Sequence, residues 1–427
     1  MKICVVGLGY IGLPTSAMFA KHGVEVVGVD VRTEVIDKVN RGEIHIEEPG
    51  LAEVVKEVVN EGLFRASLEP EVADAFIISV PTPNNEDQYK SCDLSHVLEA
   101  IEQVLPHVKK GNAIIVESTI SPRSMDDFVK PLVESTSFIV GEDVYLVHCP
   151  ERVLPGSILR ELVYNNRIIG GVTPQCAEMG AQIYNTFVQG EIIKTDAKTA
   201  EMSKLMENTF RDVNIALSNE LTKICNSLEI NVLDVIKMAN KHPRVNLHQP
   251  GPGVGGHCLA VDPYFIVAKQ PELSNIIQLS RRTNVSMPSY VVDSIKGILK
   301  ENKNSKVAVF GVAYKGNVDD IRESPALEVI DLLRKEGFSV AIHDPHIDYK
   351  FFQTATAEEA VKDADLLLIL TDHNEFKELD YDNLSSIMRN PVLFDTRNCV
   401  REGESSNMKI INFGNLYKIV QETVSIL

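Results

Sequence analysis

Short apolar runs alternate with amphipathic segments over the first half of the chain, and the period changes at each boundary. Residues 2–7 read as a buried parallel strand, 13–22 as a helix stopped by Gly23, and 24–30 as a second strand. Together they make one βαβ unit. Strand-like runs follow at 75–80, 113–117 and 144–149, with helical spacing between them, as at 94–108. This alternation predicts a parallel sheet covered by helices on both faces.

From about Asp196 the strand signal fades. Residues 196–240 keep helical spacing up to Pro243, and a second helical stretch covers 263–300 with breaks expected at Pro271 and Pro288. After a polar linker at 302–305 the βαβ pattern returns. A strand at 306–311 leads to a helix at 325–336 stopped by Gly337, then strands at 338–343, 365–371 and 392–395. The expected architecture is α/β, with two Rossmann-like doubly wound domains, 1–195 and 301–427, joined by a central helical domain, 196–300.

Composition narrows the classes. At 427 residues the chain exceeds one ordinary domain, since domains run to about 150 residues. A net charge of −18 without a dense Lys/Arg tract argues against a sequence-independent nucleic-acid binder, which needs basic patches facing phosphates. Its seven cysteines are scattered, odd in number and contain no CxxC pair, which reads as reduced thiols in a cytoplasmic protein. Lys2 before an apolar run imitates a signal peptide, but strand, glycine turn and helix explain the same residues better. No run approaches the ~18 apolar residues of a membrane span, so no membrane partner is expected.

Two stretches carry candidate chemistry. Gly7-Leu-Gly9-Tyr10-Ile11-Gly12 is GxGxxG placed after a strand and opening a helix. Its glycines permit the tight turn, the approach of a pyrophosphate and the packing of helix on strand. The helix N-terminus adds unpaired N–H groups and a positive dipole end. Asp30 ends the second strand, where a carboxylate accepts ribose hydroxyls and repels a 2′-phosphate, so NAD is favoured over NADP, with neighbouring Arg32 softening the preference. Thr82 and Thr119 follow later strands at the same sheet edge, although each alone is more often a loop cap, and their reading depends on the glycine motif.

The second stretch is Gly251-Pro-Gly-Val-Gly-Gly-His-Cys258-Leu-Ala-Val-Asp262, with four glycines in its first six residues. Bare backbone there lets something bulky approach Cys258, which favours a nucleophilic thiol over a core filler. Asp262 precedes Pro263 and suits a helix N-cap, a base, or both. His257 invites a Cys–His dyad, although adjacent loop residues usually point apart. Zinc held by His257 and Cys258 lacks a second ligand pair, so no metal is expected. Lys204, Asn208 and Arg211 share a face of the central helix at i, i+4, i+7. They read either as a solvated basic stripe or as donors aimed at a developing oxyanion.

The chain resembles the UDP-sugar 6-dehydrogenase family, within the UDP-glucose/GDP-mannose dehydrogenase superfamily, along nearly its whole length. Gly-Gly-His-Cys258 is similar to the branch acting on UDP-N-acetylhexosamines, and the run 243–268 is most similar to members acting on the mannosamine epimer. The glucosamine or galactosamine epimer is the alternative.

The resemblance implies four-electron oxidation of a C6 hydroxyl to a carboxylate with two NAD, through a thiohemiacetal and a thioester on Cys258. It implies that Gly7, Gly9, Tyr10, Ile11, Gly12, Asp30, Arg32, Thr82 and Thr119 hold NAD, with Arg322 meeting it from the last domain. Glu151 would orient water or act as base, beside Lys204, Asn208, Cys258 and Asp262. Arg152, Val153, Arg211, His242, Arg244, Gly255, Tyr314, Lys315 and Arg397 would contact the nucleotide sugar, Arg244 reaching from a second subunit of a homodimer or homotetramer. The polar loop after Thr82-Pro83 (Asn84-Asn-Glu-Asp-Gln) departs from the family pattern.

Overall fold

A computed structural model describes residues 1–347, 353–401 and 403–419. They fall into two compact units. The first comprises Met1–Glu207 and Tyr264–Pro271, the second Asn208–Pro263 and Glu272–Leu427.

The first unit carries an eight-stranded sheet. Its strands are β1 (Lys2–Val6), β2 (Glu25–Val29), β3 (Phe64–Ser67), β4 (Ala75–Ile78), β5 (Ala113–Val116), β6 (Tyr145–His148), β7 (Arg167–Gly171) and β8 (Ile192–Asp196). The order β3-β2-β1-β4-β5-β6-β7-β8 begins with the doubly wound dinucleotide-binding arrangement, whose strand order reverses beside β1. Val6 pairs with Val29 on one side and Ile78 on the other. Gly7, Asp30 and Ser79 therefore follow these strands at one common edge.

The sheet is not wholly parallel, which corrects one expectation. β7 runs antiparallel to β6, with Val147 opposite Gly171 and His148 opposite Gly170. The reversal brings the start of β7, where Arg167 lies, toward the edge at which β5 and β6 end. The sequence reading also missed β3, β7, β8 and a last short strand at Lys409–Asn412. Of these, β3 (Phe-Arg-Ala-Ser) and β8 (Ile-Ile-Lys-Thr-Asp) carry polar residues that interrupt the apolar run used as a marker.

In the second unit β9 (Lys306–Phe310), β10 (Ser339–His343), β11 (Leu366–Ile369), β12 (Val392–Asp395) and β13 (Lys409–Asn412) form a parallel sheet in the order β10-β9-β11-β12-β13. This is the other common doubly wound order, with its switch point between β9 and β11. Alternate residues face opposite cores. Val307, Val309, Leu366 and Leu368 join one apolar cluster, and Ala308, Phe310, Leu367 and Ile369 the other. A sheet buried on both sides reads as a continuous apolar run for this reason.

The central residues are helical. One continuous helix spans Ala197–Ser227, and shorter ones follow at Val232–Ala239, Asp262–Lys269, Asn275–Val285 and Met287–Ile298. Pro288 lies in the first turn of the last of these. There its missing N–H costs nothing, and it opens a new helix just after the break at Ser286, where the stretch was expected to be interrupted. The boundary between the two compact units falls inside the long helix, between Glu207 and Asn208.

Candidate active site

The dinucleotide cradle lies wholly in the first unit. Gly7 has φ +93°, and a Cβ there would collide with the Ser79 carbonyl, while a Cβ on Gly12 would collide with the Gly7 carbonyl. Gly9 faces open space within 4 Å, as the approach of a phosphate requires. The helix Gly12–Lys21 begins at Ile11 with no side-chain cap and no acid in its first turn, so nothing of its own competes for an anion. Thr82 donates its hydroxyl to the Thr119 carbonyl at 2.6 Å, tying together the loops that follow β4 and β5. These features fit a bound NAD.

Asp30 is buried, which raises its carboxyl pKa, but hydrogen bonds from Arg32 and the Leu8 N–H prevail and hold it below the usual range. Arg32 donates from its backbone N–H at 3.0 Å and from Nε at 3.1 Å to Asp30 Oδ1, and Leu8 N–H lies 3.2 Å from Oδ2. Arg32 is thus bonded to the acid it was expected to offset.

Glu151 also belongs to the first unit. Its Oε2 accepts from Arg167 Nη2 at 2.6 Å and its Oε1 from the Arg152 N–H at 2.6 Å. Arg152 in turn pairs with Glu207 at 2.6 Å. The loop that follows is pinned by Glu48, which accepts from the Gly156 and Ile158 N–H groups, both at 2.8 Å. Val153 and Lys204 are half-buried. The polar loop at 84–92 closes on itself through an Asn84–Cys92 bridge, and Lys90 Nζ sits 5.1 Å over the Tyr264 ring.

In the second unit the glycine-rich loop is shaped by residues of the last domain. A Cβ on Gly255 would collide with the Glu323 carbonyl, and one on Gly256, at φ +83°, would lie 2.7 Å from the Tyr314 ring. A Cβ on Gly251 would lie 2.7 Å from Arg397 Nη1. The Gly256 N–H donates to the Arg322 carbonyl at 3.1 Å. Backbone here passes where any side chain would be excluded.

Cys258 is half-buried on that loop, and its carbonyl accepts from the Asp262 N–H at 2.8 Å. Asp262, 3% exposed, accepts from Asn208 Nδ2 at 2.6 Å. Asp262 also opens the helix Asp262–Lys269. Asn208 is buried whereas Arg211 is exposed, so the expected three-residue face is not uniform.

Two arginines of the last domain are already paired with acids. Arg322 forks onto Asp320 at 2.6–3.1 Å, and Arg397 Nη2 meets Asp372 at 3.0 Å. His257 Nδ1 lies 3.9 Å from Asp320, pairing it with an acid. Tyr314 is half-buried, and Lys315, His242 and Arg244 are exposed. Of the residues expected to be catalytic, Glu151 and Lys204 belong to the first unit, and Asn208, Cys258 and Asp262 to the second.

Sequence reading missed Arg167, Glu117 and Tyr184. The available signal was an acid closing the apolar run of β5 and an arginine opening that of β7. It also missed His346, His373 and Glu375, whose donor atoms lie within 4.8 Å of one another. His373 Nδ1 accepts from the Asn317 N–H at 2.9 Å, so Nε2 carries the proton toward Asp344 at 3.2 Å. With both nitrogens engaged, His373 has no lone pair left for a cation. Among the described residues, no helix is long and apolar enough to cross a membrane.

Comparison with known proteins covers nearly the full length. Models of the UDP-glucose/GDP-mannose dehydrogenase family match in three parts: the NAD binding domain at residues 1–188, the central domain at 198–286 and the UDP binding domain at 308–402. The chain is 49% identical to a UDP-N-acetyl-D-mannosamine dehydrogenase of Methanococcus maripaludis, over 93% of this chain and 92% of that protein. It is 46% identical to an NDP-N-acetyl-D-galactosaminuronic acid dehydrogenase of Ralstonia nicotianae, over 92% and 95%. A solved structure of the UDP-N-acetyl-mannosamine dehydrogenase of S. aureus superposes with a TM-score of 0.92 at 62% identity, covering 98% of this chain and all of that one.

Proposed function

We propose that this chain, which belongs to the UDP-glucose/GDP-mannose dehydrogenase family, oxidises the C6 hydroxyl of UDP-N-acetyl-D-mannosamine to the uronate. The observation that carries the reading is the bonded pair Asn208–Asp262 beside the Cys258 loop. It occurs in a chain 62% identical to a UDP-N-acetyl-mannosamine dehydrogenase.

NAD bound in the cradle supplies the hydride acceptor, once for each of two oxidations. The chain's own residues do the rest. The Cys258 thiolate adds to the C6 aldehyde, forming a thiohemiacetal that retains a C–H for the second oxidation. The resulting thioester is cleaved by water: a C–O bond forms, the C–S bond breaks, and Glu151 takes the proton of the attacking water. Lys204 and Asn208 stabilise the oxyanions that develop at C6. Loss of one such donor typically costs about 3 kcal/mol of barrier. Asp262 holds the Asn208 amide in place. Arg152, Val153, Arg211, His242, Arg244, Gly255, Tyr314, Lys315 and Arg397 hold the nucleotide sugar.

The galactosamine epimer is the second reading, favoured by the 46% identity to the Ralstonia enzyme. Incubation with NAD and purified UDP-N-acetyl-mannosamine, -glucosamine and -galactosamine, with identification of the acid formed, separates them. Uronate from the mannosamine epimer at the highest kcat/KM is expected, and preference for another epimer would replace the reading.

The chain acts in the cytoplasm as a homodimer or homotetramer. Seven cysteines that form no disulfide support the compartment. Exposed Met206, Phe210, Leu217 and Ile224 along the long helix support self-association.

A further inference from the structure

Behind Glu151 the first unit buries more charge than its core needs. Arg167 is 4% exposed, and its guanidinium is shared between two acids, Nη2 with Glu151 at 2.6 Å and Nη1 with Glu117 at 3.4 Å. Glu117 is fastened from the far side. The Tyr184 hydroxyl donates to its Oε1 at 2.5 Å, Ser79 donates to Oε2 at 2.8 Å, and Thr15 reaches it at 3.5 Å. The Tyr184 ring also underlies the guanidinium, 4.5 Å from Cζ. A buried arginine between two carboxylates is a poor device for stability, because desolvating three charges offsets most of their attraction. Its merit is that the guanidinium plane cannot turn.

Both Glu151 oxygens accept hydrogen bonds, one from Arg167 and one from the Arg152 N–H. A carboxylate gripped through both oxygens has its plane and direction fixed. The reversal of β7 puts Arg167 at the edge where β5 and β6 end, within reach of Glu117 and Cys149.

We propose that Arg167, anchored through Glu117 and Tyr184, is the positioning residue that aims the Glu151 carboxylate that accepts the proton of the hydrolytic water. The proposal rests on the oxidation described above. The step balances as water plus thioester giving acid plus Cys258 thiol, with Glu151 carrying a proton from water to sulfur or solvent.

Glu117 after β5, Cys149 after β6 and Arg167 on β7 interact with Glu151, and Arg152, whose N–H it accepts from, pairs with Glu207. Burial pushes Cys149 up to about 12, so it stays a neutral thiol. Burial also raises Glu117, an effect that Arg167 opposes and Glu151 reinforces. Two substitutions should therefore act in different ways. Arg167→Lys keeps the charge but loses the planar fork, and misplacement of a base by about 1 Å costs on the order of 100-fold. Glu117→Gln keeps the shape but removes one of the two charges that hold the guanidinium, so it should loosen the aim less than Arg167→Lys does.

The test follows the decay of the sugar thioester on Cys258 by quenched mass spectrometry from pH 5 to 9, with Glu151→Gln as reference. Arg167→Lys is expected to accumulate thioester and lose roughly 10- to 100-fold in kcat, with KM for the sugar nucleotide changed less than about two-fold. Glu117→Gln is expected to slow thioester decay by a smaller factor, about 3- to 10-fold, again with KM nearly unchanged. If Glu151→Gln stalls at the thioester while both other variants decay at the wild-type rate, the positioning role is overturned and the oxidation stands. If neither wild type nor Glu151→Gln ever carries a thioester, the covalent reading fails and takes this role with it.

Discussion

Asn208 Nδ2 lies 2.6 Å from Asp262 Oδ2, and both residues are buried. The bond joins the long helix to the first residue of the helix that follows Cys258, and it spends one amide N–H on orientation. Replacing the amide by an acid inverts it. In Asn208→Asp two carboxyls would face each other, and one must keep its proton, so its pKa in the folded state is raised. Stability owed to that proton is present at low pH and lost as pH rises through the raised value. Asn208→Asp is expected to melt close to wild type near pH 4.5 and several degrees lower at pH 8. Calorimetry across that range checks it, and equal melting at both pH values would contradict it.

Arg32 bonded to Asp30 bears on cofactor choice. Asp30→Ala removes the acceptor for ribose hydroxyls and frees a guanidinium to meet a 2′-phosphate. The ratio of kcat/KM for NADP over NAD is expected to rise by about 10- to 100-fold, as charge-assisted bonds exchange partners. Steady-state rates with both cofactors read it directly, and an unchanged ratio would remove Asp30 from the ribose.

Gly256 sits at φ +83° under the Tyr314 ring. An alanine there meets backbone strain and an aromatic wall together. Gly256→Ala is expected to cost about 1–3 kcal/mol in stability and to lower kcat/KM by more than about 100-fold, because the Cys258 loop must move. Gly111→Ala, at φ +93° with open space around it, has a similar backbone cost and serves as the control that should keep its activity.

His148 is fully buried, and its Nδ1 lies 2.9 Å from the Val116 carbonyl, which fixes Nδ1 as the protonated nitrogen. Burial lowers its pKa to about 3. An unfolded chain takes up the proton near the ordinary value of about 6.5. Stability owed to the neutral ring is therefore complete above pH 6.5 and drains away as pH falls toward 3. The loss is about 2 kcal/mol by pH 5. Denaturant titrations of wild type and His148→Asn between pH 7 and 5 should differ in slope by that amount, and parallel curves would contradict it.

Much of this was legible in the residues because local pattern and function coincide. Gly7, Gly9, Gly12 and Asp30 sit on consecutive βαβ elements, so one sequence window contains the strand, the turn, the helix and the acid. The Cys258 loop is legible for a similar reason, since its glycines are adjacent and each leaves room for a distant side chain. Arg167 is different. Its meaning comes from the reversal of β7, which no local period encodes, and its partners Glu117, Glu151 and Tyr184 lie 16 to 50 residues away. The pairing of Arg322 with Asp320 and of Arg397 with Asp372 was likewise hidden, because a charge near a proposed ligand says nothing about the partner it meets first.

Four-electron oxidation requires Cys258 to carry the half-oxidised sugar into a second oxidation. Its most direct test counts NADH formed per UDP-N-acetyl-mannosamine consumed, with the uronate quantified in the same samples. Two NADH and one uronate per sugar are expected for the wild-type chain, with no uronate from Cys258→Ala. One NADH per sugar from the wild type, or uronate formed at the normal rate without the thiol, would contradict it.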